Sequence, residues 1–92
     1  MNELRIQSVE FVSEEIAVQF NDQSTLTLPL SCFPRLQKAT PKQRTDWALI
    51  GLGLGIHWPE VDEDLSVENF LSAAARQSLD HDRAIVAKTA QE

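Results

Sequence analysis

The stretch Ile16-Ala17-Val18-Gln19-Phe20-Asn21-Asp22-Gln23-Ser24-Thr25-Leu26-Thr27-Leu28-Pro29-Leu30 decides the fold class. Ile16, Val18 and Phe20 recur at every second position, and so do Leu26, Leu28 and Leu30. A period of two puts one set of side chains on one face of a pleated strand, so each run reads as a strand with an apolar and a polar face. The break between them, Asn21-Asp22-Gln23-Ser24, is polar and turn-forming, which joins the runs as a hairpin. Pro29 has no N–H to give to a ladder, so the second of these strands lies at a sheet edge there or ends there.

Upstream, Leu4 and Ile6 share one parity and Val9 and Phe11 the other. That change predicts a first strand with a bulge near Gln7-Ser8, after which Glu14-Glu15 lie in or beside a turn. Downstream, Ser31 is placed to cap a short helical turn through Cys32-Phe33-Pro34-Arg35-Leu36. Thr40-Pro41-Lys42-Gln43 has the capping-box spacing with proline at the first helical position, and predicts a helix running through Trp47, Ala48, Leu49 and Ile50. Gly51, Gly53 and Gly55 alternate with Leu52, Leu54 and Ile56; glycine ends that helix at Gly51, and the bare side of the run permits close backbone packing, for instance against Trp47 or Trp58. A short strand at about Gly55–Trp58 is expected to rejoin the sheet. Ser66 then caps a helix whose Val67, Phe70, Leu71 and Ala74 form an apolar stripe.

These elements predict an α+β fold: a small antiparallel sheet, made of the N-terminal three-stranded meander plus a short later strand, with two or three helices packed against it. Residues 1–74 read as a single domain. Residues 75–92, with Ala75, Leu79, Ile85 and Val86 as thin apolar points, read as a helical extension or a frayed tail.

The composition agrees with one domain: 92 residues, 42% hydrophobic and 24% charged, exclude a two-domain chain. A chain this short buries roughly 60–65% of its extended surface, so a site tunnelled through it would cost stability and a shallow one is expected. Cys32 is the only cysteine, which excludes an internal disulfide framework and a thiolate metal cage. The start Met1-Asn2-Glu3-Leu4-Arg5 lacks the basic flank and apolar core of a signal peptide, and no apolar run approaches the ~20 residues of a span, so a cytoplasmic setting away from membranes is expected.

The formal net charge of -6 opposes long-range attraction to nucleic acid and argues against direct nucleic-acid binding. The charge is uneven: -4 over residues 1–30, +3 over 31–58 and -5 over 59–92. Arg35, Lys38, Lys42 and Arg44 form a basic cluster that reads either as a solvated face or as an anion or partner contact.

Three segments carry a family resemblance: Leu28-Pro29-Leu30-Ser31-Cys32-Phe33-Pro34-Arg35-Leu36, then Ala39-Thr40-Pro41, then Gly55-Ile56-His57-Trp58-Pro59-Glu60-Val61-Asp62-Glu63-Asp64-Leu65-Ser66-Val67. In order and spacing, over about residues 4–72, the chain resembles the bacterial domain of unknown function family 2442. The resemblance implies a small α+β domain with strands first and helices following. Some members resemble the N-terminal part of longer proteins with a helix-turn-helix domain, and others resemble antitoxin-like partners encoded beside a small toxin-like protein. Members often carry tryptophan where Cys32 stands, and the residues after Leu71 are too few for a helix-turn-helix domain.

His57 with Asp62 and Asp64 is the one cluster that sets a base beside carboxylates, as acid–base chemistry or a hard-metal site requires. It falls short of the three or four ligands of a zinc site, and neither a metal nor a cofactor is expected. The structural alternative packs His57 between strand and loop and assigns Asp62 or Asp64 to the start of the following helix. His81 reads as a solvated residue. The glycine run matches no phosphate-binding loop, Ser31 lacks a nucleophile elbow, and no catalytic residue is assigned.

The favoured reading is a non-catalytic interaction domain of a bacterial regulatory or antitoxin-like module, with a protein partner or a second copy bound at an exposed strand edge and at the helix from Val67. The alternatives are a small-ligand, anion or metal-binding module using Arg35 and the His57–Asp64 region, with Arg35, His57, Trp58, Asp62 and Asp64 as binding residues, or a hydrolase-like enzyme using His57 and Asp62.

Overall fold

Two three-stranded antiparallel sheets, each a simple meander, share one hydrophobic core in the computed structural model, which describes residues 3–90, with side-chain surroundings through 78. The fold is α+β.

The first sheet is the expected N-terminal meander: β1 (Ile6–Val12), β2 (Glu15–Phe20) and β3 (Thr25–Pro29), in that order. Val18 stands between Val9 and Leu26, and Ile16 between Phe11 and Leu28, so the period-two residues face one side together. The β1–β2 register slips between Ile6 and Ser8, where the parity of the sequence changes. β3 is an edge strand and ends at Pro29. In the β2–β3 turn the Asp22 carboxylate accepts the Ser24 N–H at 2.9 Å and also the Ser24 hydroxyl.

The middle of the chain departs from the expectation in three ways. Ser31 caps no helix; it lies inside a 3-10 turn, Leu30–Cys32, and α1 (Pro34–Lys38) starts after Phe33 with no side-chain cap. Thr40 does form the predicted capping box, with Gln43 N–H donating to Thr40 Oγ1 at 3.1 Å and Thr40 N–H to Gln43 Oε1 at 2.9 Å. The helix it opens, α2 (Pro41–Thr45), nevertheless stops before Trp47. Its Arg44 carbonyl accepts the Trp58 indole N–H at 2.9 Å, Asp46 turns out of the helical region, and Ala48–Ile50 form strand β4 instead. Tertiary pairing of the apolar segment Ala48-Leu49-Ile50 with β5 overrides the helix that the capping box at Thr40 and the glycine at Gly51 delimit.

The third departure concerns β5 (Gly55–Trp58). It is a strand, as expected, but it does not rejoin the first sheet. It is the central strand of a second one, between β4 and β6 (Glu63–Ser66), with Leu49, Ile56 and Leu65 in one row and Ala48, His57 and Asp64 in the next. Both of its edges are therefore taken. β6 falls in the acid-rich segment between Trp58 and the helix start at Ser66, where no strand is expected; only Leu65 in it is buried.

Ser66 begins α3 (Val67–Ala90) as predicted, through a reciprocal cap in which Asn69 N–H donates to Ser66 Oγ at 3.1 Å and Ser66 N–H to Asn69 Oδ1 at 2.7 Å. Val67, Phe70 and Ala73 reach the core formed by the inner faces of both sheets. Trp58 and Phe70 are fully buried; Phe11 meets Trp58 edge-on at 6.3 Å and Phe33 meets Phe70 edge-on at 5.4 Å. The helix continues unbroken to Ala90, while the side chains of Leu79, His81, Ile85 and Val86 lie outside the described residues. Among the described residues no helix is long and apolar enough to cross a membrane.

Candidate interaction surface

The β4–β5 hairpin turns through Gly51-Leu52-Gly53-Leu54. Gly51 and Gly53 have φ of 57° and 93°, and Leu52 between them is also left-handed at φ 57°, ψ 34°. A leucine held there costs about 1–2 kcal/mol, so the surroundings must impose the conformation. Arg5 does so from the entry to β1: its guanidinium donates to the carbonyls of Leu52 at 3.0 Å and Gly51 at 3.4 Å. Gly53 lies so close to β1 that a Cβ there would stand 2.7 Å from the Ile6 carbonyl oxygen. The far side of the turn is tied to α3, with Val67 N–H donating to Leu54 O at 3.0 Å.

A turn fastened at both ends thus holds Leu52 outward, 87% exposed. The adjoining strand is exposed along its length. Leu49, Ile50 and Leu54 each keep more than a third of their surface, and Ile50 lies over the bare backbone of Gly55. Among the described residues β4 pairs with β5 on one side only, and Ala48-Leu49-Ile50 carries none of the charged residues or proline by which edge strands usually discourage pairing. Sequence reasoning missed this surface because it placed Leu49 and Ile50 in a helix. The available signal was the two-residue alternation from Ile50 to Ile56, which suits a hairpin as well as a packed glycine stripe. The glycines do pack closely, but Gly53 packs on the β1 backbone rather than on an aromatic ring.

The residues singled out in the sequence form two separate pairs. Arg35 donates to the Asp62 carbonyl at 2.7 Å and fastens the β5–β6 loop, in which Asp62 is left-handed at φ 51°. His57 stands opposite Asp64 across β5–β6, with Nδ1 in contact with the Asp64 carboxylate on the open face of the sheet. No hydrogen bond or ion pair joins the two pairs among the described residues. Trp58 has no accessible surface and donates its N–H to Arg44 O, so its indole is a core residue with no face for a ligand. Neither Asp62 nor Asp64 caps α3; Ser66 and Asn69 do, and Glu68 is the acid in its first turn.

Two of the four clustered cations are fastened to backbone carbonyls. Arg35 holds Asp62, and Arg44 donates to Leu36 O at 2.8 Å and Gln37 O at 2.7 Å while its guanidinium lies 6.0 Å from the Phe11 ring centre. Among the described residues no group of three or more His, Cys, Asp or Glu is placed to hold a metal ion.

A family model described as a protein of unknown function (DUF2442) matches residues 6–76, both sheets and the packed start of α3. The chain belongs to this family. A crystal structure of a protein of unknown function from Rhodospirillum rubrum ATCC 11170 is similar in fold, with a TM-score of 0.66 and 26% identity over 77% of this chain and 88% of that one. No curated protein matches the chain.

Proposed function

We propose that this member of the family is a non-catalytic protein-interaction domain, of the bacterial regulatory or antitoxin-like kind that the family resemblance implies, and that it binds through the β4 edge and the Leu52 turn. One observation carries the reading: an 87% exposed leucine in a left-handed conformation, braced by Arg5 beside an uncharged, unpaired strand edge. Strain imposed at a surface point that adds nothing to the core is what a binding anchor requires. Strand addition would supply main-chain hydrogen bonds, and Leu52 with Ile50 would supply apolar contact.

The direct test is co-expression with the product of the adjacent gene, followed by measurement of binding between the purified proteins by calorimetry. Wild type is expected to bind that product or a second copy of itself, and Leu52→Asp to weaken that binding at least about tenfold with no loss of thermal stability, because the wild-type side chain is almost fully solvated. The reading fails if no adjacent product binds and the chain stays monomeric at high concentration.

A further inference from the structure

We infer that the occupant of the β4 edge is a second copy of this chain, its own β4 added antiparallel across a two-fold axis through Leu49. The inference rests on the reading of the hairpin as an interaction surface and goes beyond it by naming the partner. Three features lead to it.

The first is self-complementarity. A two-fold contact sets the same patch against itself, so both sides must accept identical neighbours. Ala48-Leu49-Ile50 does so: Leu49 meets Leu49, and Ala48 of each copy meets Ile50 of the other, giving small against large on both sides of the axis.

The second is charge. Asp46 precedes β4, and its side chain makes no hydrogen bond or ion pair among the described residues. At the other end of the strand stands the Arg5 guanidinium, on the carbonyls of Gly51 and Leu52, with a long 3.5 Å exposed contact to Glu3. Antiparallel pairing about Leu49 brings the Asp46 end of one copy to the Arg5 end of the other, twice by symmetry. A parallel addition would set Asp46 against Asp46. The remaining nearby guanidinium, Arg44, is directed away, onto Leu36 and Gln37.

The third is closure. Pairing β4 with the β6 edge of another copy would repeat head to tail into a ring or a filament, whereas β4 on β4 uses up the edge in a closed pair and leaves a six-stranded sheet. Three residues of strand with Leu52 make an interface at the small end of the usual range, so the dimer is expected to dissociate in the micromolar range or weaker.

Light scattering on the full chain over a concentration series is expected to show a monomer–dimer equilibrium. Leu52→Asp is expected to raise its dissociation constant at least about tenfold with unchanged thermal melting, and Ile50→Lys and Asp46→Arg, the latter setting two arginines together, to raise it as well. In a Cys32→Ser background, Leu49→Cys is expected to give a disulfide-linked dimer under mild oxidation, since residues opposed across an antiparallel pair lie about 4.5–5.5 Å apart at Cα. Thr27→Cys, on the β3 edge, is not. A monomer at every concentration with no cross-link at position 49 overturns self-pairing. If Leu52→Asp then still abolishes binding of the adjacent gene product, the interaction surface stands without the homodimer; if it changes neither measurement, both readings fall.

Discussion

Asp22 shows how one exposed side chain can set a turn. Its carboxylate accepts the hydroxyl and the amide of Ser24, and the hydroxyl bond first, then the amide bond, hold its pKa below the ordinary 3.8. A carboxyl group whose folded pKa is depressed adds stability that is complete above the unfolded value and is lost as pH falls through the folded one. Asp22→Ala is therefore expected to lower the melting temperature modestly at neutral pH and to flatten the loss of stability below about pH 3.8; an acid limb identical to wild type would contradict this. The two left-handed glycines of the β4–β5 turn separate by what surrounds them. A Cβ at Gly51 would meet only Leu54 Cβ, at 3.7 Å, but one at Gly53 would press on the Ile6 carbonyl at 2.7 Å. Gly51→Ala is expected to cost about 1 kcal/mol and Gly53→Ala about 2–3 kcal/mol, compared by urea unfolding.

Among the elements, α2 depends most on a local signal. It has five residues, no buried side chain and one capping box, so Thr40→Ala is expected to destabilise the domain by about 1 kcal/mol in urea unfolding while leaving self-association unchanged. The same element shows which parts of the fold are legible in the sequence. Period-two runs specify β1 to β3 and their register, because every second residue must face the core whatever else happens. The start of α2 is equally legible, since its donors and acceptors lie within four residues. Its end is not: it depends on Trp58, 14 residues further on, donating to Arg44 O. β6 is hidden for a related reason, as Glu63-Asp64-Leu65-Ser66 has one buried residue and is a strand only because β5 pairs with it. In the candidate site, His57 with Asp64 is legible as neighbouring chemistry, and Trp58 is misread because an aromatic beside a histidine looks the same buried or exposed. Leu52 is not legible as an exposed residue at all. Its position depends on Arg5, 47 residues away, and a leucine between glycines otherwise reads as packing.

At the scale of the whole molecule, one core holds two small sheets that neither could bury alone. β5 contributes Ile56 and Trp58 to it and α3 contributes Phe70, all fully buried, while β4 remains at the rim with its outer edge unpaired among the described residues. Stability and recognition are thus separated in space: the Arg5 brace, Gly53 and Trp58 hold the hairpin in place, and Leu49, Ile50 and Leu52 stay accessible along its edge and tip. The claim that this edge is a pairing surface is tested most directly by amide hydrogen exchange at low micromolar and at sub-millimolar concentration of the full chain. Self-pairing predicts that exchange within Ala48–Ile50 slows as concentration rises, while β3 and β6 amides are unaffected. Equal exchange within Ala48–Ile50 at both concentrations would contradict it.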